Sequence, residues 1–281
     1  MTPPPLIYLI AGEPSGDRLG ASLIGALRRA YPEIEVTGLG GREMTQAGLT
    51  SLFDTDELAV MGIAEVLPRL PQLLRRIRET SEDVLTRKPA ALVTIDSPSF
   101  GLRVSERVRR RDPSIPTIHY VAPSVWAWRP GRARHMARFT DQVLALLPFE
   151  PPYMEAAGMT CDFVGHPIAQ RPSPTRGEVL AARRRWGLEE GTPTLLVAPG
   201  SRKSEVARLS PLFREVVTRA KAKIGGLRVL VPVVETVAPE VRSAFADFPG
   251  DPVLIRPDWG EPAKLAAFAV ADAALLASGT V

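Results

Sequence analysis

The chain has 281 residues, 45% of them apolar and 23% charged, which is an ordinary globular composition long enough for two α/β halves. No apolar run reaches the length of a bilayer span, and a strand starting at Leu6 after a short Pro-rich lead gives no expectation of a signal peptide. The net charge of +4 is carried mainly by arginine, which suits phosphate and carboxylate partners, but no helix-turn-helix, zinc knuckle or RNP-like motif accompanies it, so nucleic acid is set aside as a partner. A single cysteine, Cys161, excludes an internal disulfide and is read as a packing residue.

Leu6 to Ala11 reads as a short buried strand, and Gly12 to Asp17 (GEPSGD) as a turn feeding a helix from about Arg18 to Ala30. A strand, a glycine-containing loop and a helix N-terminus suggest phosphate binding, but G-x-G-x-x-G is absent and Glu13 and Asp17 are both negative. Two readings stay open: a well-capped helix, or a loop in which Glu13, Ser15, Gly16 and Asp17 hold the hydroxyls of a sugar acceptor. Ile34 to Gly41 gives a second strand, and Asp54 with Glu57 makes a capping-box pattern. Asp54 and Asp56 also form a D-x-D pair of the kind that holds a divalent metal in some sugar transferases. Standing before a helix rather than in an acidic cluster, the pair is read as capping, and no metal site is assigned.

Leu58 to Arg78 repeats apolar residues at three- and four-residue steps, among them Val60, Ile63, Val66, Leu67, Leu70, Leu73, Leu74 and Ile77, with Arg69, Arg75, Arg76 and Arg78 interspersed. This suits an interfacial helix that buries its aliphatic side in lipid and meets anionic headgroups with arginine, and equally a helix packed on its own sheet. Pro68 and Pro71 are expected to break it.

Ala91 to Phe100 (ALVTIDSPSF) reads as a buried parallel strand that delivers Asp96 to its carboxyl end, where open α/β sheets bind ligands. Asp96 is therefore the candidate general base, the alternative being a cap on the Ser97–Pro98 turn. A basic helix (Leu102 to Arg111) and a strand (Thr117 to Val121) follow, then a segment holding Trp126 and Trp128 ahead of Arg129, Arg132, Arg134, His135 and Arg138. The aromatic faces could stack on a sugar and the arginines could bind an anion, or the former pack and the latter are solvated. His119, inside a strand, is read as a hydrogen-bonded core histidine rather than the base.

Gln142 to Leu147 and Cys161 to Val164 are further strands, and Arg171 to Thr175 has the Pro-rich polar composition of a hinge. The expected domains are residues 1–168 and 169–281. In the second, Thr194 to Ala198 is a strand before Pro199-Gly200-Ser201-Arg202, a turn whose amides and guanidinium suit a diphosphate, with Arg202 the main anion-binding candidate. Strands recur at Leu227 to Val231, Pro252 to Ile255 and Ala273 to Leu276. Ser278-Gly279-Thr280 should then open a phosphate-binding helix, so the second unit is expected to be incomplete at its C-terminal side.

Taken together, AGEPSGD, ELAVMGIAEVL, IDSPSF, IHYVAPSVWAWR, LALLPFE, FVGHP, APGSR and AALLASGT resemble the lipid-A-disaccharide synthase family across nearly the whole chain. The resemblance implies an α/β fold of two Rossmann-like domains in the GT-B glycosyltransferase architecture, the second truncated. It implies an inverting hexosyltransferase of lipid A, and so lipopolysaccharide, biosynthesis. The donor would be UDP-2,3-diacylglucosamine, the acceptor 2,3-diacylglucosamine 1-phosphate, and the products lipid A disaccharide 1-phosphate and UDP, with no cofactor and no metal. By the same resemblance Asp96 is catalytic. The resemblance also implies Arg202 as a donor-site arginine; with it, Gly200, Ser201, Ser278, Gly279 and Thr280 are the residues expected to hold UDP, and Glu13, Ser15, Gly16, Asp17, Trp126 and Trp128 those expected on the acceptor side. Val60, Ile63, Val66, Leu67, Leu70, Leu73 and Leu74 would meet an anionic membrane, placing the protein on the cytoplasmic face of the inner membrane, and there is room for a homodimer. The rival readings are another GT-B UDP-sugar enzyme, an epimerase or lipid-intermediate transferase, and a non-catalytic membrane-associated sugar-nucleotide binder.

Overall fold

The computed structural model describes residues 4–58, 63–96, 99–170 and 172–277. The chain divides into two compact units, Met1–Arg171 and Pro172–Val281. In the first, β1 (Leu6–Ala11), α1 (Pro14–Ala30), β2 (Glu35–Leu39), α2 (Arg42–Gln46), β3 (Thr50–Ser51), α3 (Ile63–Arg87), β4 (Ala91–Ile95), α4 (Gly101–Arg111), β5 (Thr117–Tyr120), α5 (Gly131–Met136), β6 (Gln142–Ala145), α6 (Pro151–Glu155) and β7 (Thr160–Phe163) follow in order. The seven strands form one parallel sheet in the order β3-β2-β1-β4-β5-β6-β7.

That order reverses direction between β1 and β4, and in open α/β sheets the crevice beyond the carboxyl ends of the strands at such a switch point is where ligands bind. The register pairs Ala11 with Ile95, so the two strands end level and their following loops emerge side by side. Both strands read as continuous apolar runs because both faces are covered. Tyr8, Ile10 and Leu92 pack with Ile77 and Val84 of α3 and Val104 and Val108 of α4. Leu9, Ala11, Val93 and Ile95 pack on the other face with Ile24 of α1 and Met44 of α2.

α1 begins at Pro14 rather than near Arg18. Proline at the first helical position has no N–H to lose and its fixed φ already suits the helix, so the expected turn is wound into the first helical turn. α3 is one helix of 25 residues that runs through Pro68 and Pro71, where a break was expected. Proline's φ is compatible with a helix, and the two forfeited hydrogen bonds are offset by the packing of the rest. Ile77 and Val84 enter the core, the Asp83 carboxylate accepts from the Tyr8 hydroxyl at 2.8 Å, and Glu82 pairs with Arg107 and Arg111 of α4. Burial, together with the hydrogen bond to Asp83, pushes the Tyr8 phenol well above the usual range. Glu57, expected in a capping box, lies in a 3-10 turn (Thr55–Leu58), and its carboxylate accepts from Gln72 at 2.9 Å and from Arg76 at 2.8 Å, pinning that turn to α3.

The second unit contains α7 (Arg176–Arg185), β8 (Thr194–Ala198), α8 (Lys203–Lys223), β9 (Arg228–Pro232), α9 (Ala238–Phe245), β10 (Val253–Ile255), α10 (Gly260–Val270) and β11 (Ala273–Leu276). Its four strands are parallel in the order β10-β9-β8-β11, the same winding as the first unit, with the switch between β8 and β11. One face packs Val197, Val229 and Val231 against Val206, Phe213 and Val217 of α8 and Val241 and Phe245 of α9. The other packs Leu196, Leu230 and Ile255 against Ala266, Ala267 and Val270 of α10.

Candidate functional site

Asp96 is the residue after β4, at the switch point of the first unit, half-buried and in the left-handed region at φ 51. Its amide donates to the Tyr120 carbonyl at 2.9 Å, and the hydroxyl of Ser15, from the first turn of α1, donates to its Oδ2 at 2.7 Å. Gly16 makes that approach possible. A Cβ there would lie 3.0 Å from the Ile95 carbonyl oxygen and 3.6 Å from the Asp96 Cβ. The GEPSGD loop is thus set against the carboxylate by the level ends of β1 and β4. Ser97 and Pro98, where Asp96 could have served as a cap, lie outside the described residues.

Asp96 opens into a cleft of about 290 Å³ that is lined on its other sides by His119, Val121 to Val125, Trp128, Arg129 and Arg132. Val121 at φ 87 and Arg129 at φ 53 are, like Asp96, residues with a side chain held in left-handed backbone. A β-branched residue there is a genuine outlier, and each such position costs about 1–3 kcal/mol, which the surrounding packing must offset. That packing is present: Ala122 and Val125 are buried with Ala133, Met136 and Val143, so the segment carrying Trp128 and Arg129 is anchored from below.

His119 is 1% exposed, and its Nδ1 is 2.8 Å from the Thr94 hydroxyl oxygen. Burial pushes the imidazole down to about 4; the negative charge of Asp96 opposes this and the positive charge of Arg132 adds to it. The ring is neutral near pH 7, as a hydrogen-bonded core histidine should be, although it also forms part of the cleft wall. The two tryptophans part company. Trp128, 69% exposed, lines the cleft with the Arg129 guanidinium 4.3 Å from its ring centroid, whereas Trp126, 45% exposed, packs edge-on against Phe149 at 5.2 Å.

Asp17 is placed elsewhere than the acceptor side expected of it. It is 8% exposed, and its carboxylate accepts amide hydrogens from Gly41 at 2.8 Å, Glu43 at 2.8 Å and Met44 at 3.0 Å. Its oxygens satisfy three orphan donors at the start of α2, a structural task that ties α1 to α2. Glu13, at the N-cap of α1 without a side-chain capping bond, is exposed, as is Ser15.

In the second unit the turn after β8 is built as an anion nest, and it holds one of the protein's own carboxylates. Glu205 Oε2 accepts from the amides of Ser201 at 3.0 Å and Arg202 at 3.2 Å, while Oε1 accepts from the Arg202 guanidinium at 2.7 Å. Gly200, at φ 131, is required for this, since a Cβ would fall 2.6 Å from Glu205 Oε2. Burial works against the Glu205 charge, but the bonds from Arg202 and the two amides outweigh it and hold the carboxyl below the usual range. Ser278, Gly279 and Thr280 lie outside the described residues.

The stripe expected to face a membrane divides. Leu73 packs against the core beside Ile77, which corrects its assignment; Leu70 is half-buried and Leu74 is 50% exposed, next to exposed Arg75 and Arg78. Arg76 is tied to Glu57 and lies over the Phe53 ring. Val60 and the side chains of Ile63, Val66 and Leu67 lie outside the described residues. No helix among the described residues is long and apolar enough to cross a membrane.

Asp96 directly follows β4, as its sequence position suggested, whereas Arg129, Arg132 and Glu205 were given no specific role by the sequence. The available signals were the close spacing of Arg129 and Arg132 just after the two tryptophans, and a glutamate three residues after the Arg202 N-cap.

Two consecutive Rossmann-like units, each a parallel sheet whose strand order reverses at a switch point, define an α/β protein of the GT-B glycosyltransferase architecture. Solved structures agree on the fold. UDP-GlcNAc 2-epimerase from Neisseria meningitidis matches with a TM-score of 0.64 at 12% identity, over 98% of this chain and 77% of that one. The epimerase from Rickettsia bellii matches with a TM-score of 0.63 at 12% identity, over 98% and 74%. Sequence comparison is more specific. The lipid-A-disaccharide synthetase family model matches residues 7–281. The lipid-A-disaccharide synthase of Ruegeria pomeroyi is 51% identical over 280 residues, covering 98% of this chain and 69% of the relative. That of Rhodospirillum centenum is 49% identical over 279 residues, covering 99% and 69%. The chain belongs to the lipid-A-disaccharide synthase family, glycosyltransferases of lipid A biosynthesis.

Proposed function

We propose that this chain transfers diacylglucosamine from UDP to the 6-hydroxyl of diacylglucosamine 1-phosphate, with the acceptor sugar bound in the Asp96 cleft. The observation that carries this reading is a carboxylate at a switch point, oriented by Ser15 and flanked by an aromatic face at Trp128. A sugar hydroxyl at Asp96 would attack the anomeric carbon from the face opposite UDP, so configuration inverts in one displacement and the hydroxyl proton passes to Asp96. Departing UDP gains negative charge. On this reading the Arg202 guanidinium, with its side chain 57% exposed, and the amides of Ser201 and Arg202 stabilise that charge once Glu205 gives way.

The apolar residues Leu70 and Leu74 with Arg75 and Arg78 support an additional role for α3 as a surface that rests on anionic lipid, which is where diacylated substrates reside. On this reading the protein is peripheral on the cytoplasmic face of the inner membrane.

The test is Asp96→Asn, with UDP release followed in the presence of both lipid substrates. Loss of the general base is expected to cut kcat by about 10²–10⁴ without altering the fold. Undiminished turnover in the folded variant removes Asp96 as base.

A further inference from the structure

We infer that Arg129 and Arg132 form the subsite for the acceptor's phosphate and set the preference for a phosphorylated acceptor over the free sugar, an inference that rests on the acceptor lying in the Asp96 cleft. Both guanidinium-bearing residues line that cleft. The Arg132 amide donates to the Arg129 carbonyl at 2.9 Å, so one tight turn holds the two residues at the same wall of the cleft.

What marks them is that two arginines without a carboxylate partner among the described residues line one cleft. Among the described residues Arg76, Arg87, Arg107, Arg109, Arg110, Arg111, Arg202 and Arg228 each pair with a carboxylate. No ion pair or side-chain hydrogen bond within the described residues engages Arg129 or Arg132, although Arg132 is half-buried and next to a cleft wall formed by neutral His119. A partly desolvated guanidinium without an anion is costly, and two of them facing one cavity match a phosphate monoester, whose charge of about −1.5 to −2 and three oxygens accept forked donors. Asp96 supplies only one negative charge to the same space and is already engaged by Ser15. Arg129 is also held in place, by its left-handed backbone and by the Trp128 ring beneath its guanidinium. The sugar would then lie between the arginines, which take its phosphate, and Asp96, which takes the proton of its attacking hydroxyl.

The experiment compares the wild-type chain with Arg132→Gln, Arg132→Lys and the double variant Arg129→Gln/Arg132→Gln. Each is assayed with the diacylglucosamine 1-phosphate acceptor and with the same lipid bearing a free 1-hydroxyl. Losing a bidentate contact to a charged group is worth about tenfold or more per arginine. The double variant is expected to raise the KM for the phosphorylated acceptor at least about tenfold, to lose at least about ten times more on that acceptor than on the phosphate-free one, and to leave the donor KM unmoved. Arg132→Lys, which keeps the charge without the fork, should recover part of the loss. Equal losses on both acceptors, or a rise in the donor KM instead, overturn the assignment. A second arm needs no turnover: binding of glucosamine 1-phosphate and of glucosamine, read by calorimetry and by the fluorescence of the tryptophans. Wild type should bind the phosphate ester more tightly and the double variant should lose that preference. If wild type transfers to neither lipid, the proposed reaction fails while this arm still decides the subsite, and unchanged glucosamine 1-phosphate binding in the double variant refutes it.

Discussion

Asp17→Asn separates a structural carboxylate from a substrate-binding one. Asp17 Oδ1 accepts from Gly41 and Met44, and Oδ2 from Glu43. The asparagine has the same shape but only one acceptor oxygen. If that oxygen keeps the two amides at the Oδ1 position, its NH2 faces the Glu43 N–H, donor against donor, and a nearly buried N–H loses its partner at a cost of about 1–3 kcal/mol. The two surviving bonds change from charged to neutral acceptors and weaken by roughly half. Together these come to about 3 kcal/mol, or about a hundredfold in the folded-to-unfolded ratio. With a urea slope of about 2–3 kcal/mol/M the unfolding midpoint of the first unit should fall by about 1 M, and the segment around Gly41 to Ala47 should lose hydrogen-exchange protection first. The acceptor KM of the folded enzyme should stay put. A midpoint within about 0.2 M of wild type combined with a raised acceptor KM would refute the structural role and return Asp17 to the acceptor.

His119 gives a pH dependence of stability of known sign. Its folded pKa of about 4 lies below the ordinary value of 6.5, so the unfolded chain binds the extra proton first on acidification. The contribution is full above pH 6.5 and is lost progressively between 6.5 and about 4, on the order of 3 kcal/mol in all, and His119→Gln should flatten unfolding free energy against pH across that window. An unchanged slope there would assign the acid sensitivity to other groups. On α3, Leu70→Ser with Leu74→Ser should reduce sedimentation with anionic vesicles at little cost in stability, whereas Leu73→Ser should lower stability by about 2–3 kcal/mol through lost core packing. Full vesicle binding by the double variant would return α3 to a purely structural helix.

The sheets and the location of the cleft were legible because their signals are local. LIYLIA and ALVTI are strings of apolar and β-branched residues that only a strand covered on both faces uses, and a carboxylate directly after such a run must emerge at the strand's end. Which helical side chains join the site was not legible. Asp17 and Ser15 are two residues apart in α1, yet one is turned to α2 and the other to Asp96, because the first turn of that helix is wedged between elements that the chain makes 24 and 81 residues later. Leu73 and Leu74 are neighbours on one helix, and only the arrival of the sheet on one side makes the first core and the second surface. Trp126 and Trp128 were indistinguishable as a pair until Phe149, after β6, took one of them. The sequence by itself determined the buried strands and the carboxylate that follows β4, since period and composition depend on near neighbours alone, whereas the strand order that makes this end a switch point is tertiary. Tertiary structure decided the occupants of the site, including Arg129 and Arg132 in the cleft and Glu205 in the Ser201–Arg202 nest. Whether a charged side chain is paired, buried or free depends on which distant segment packs against it.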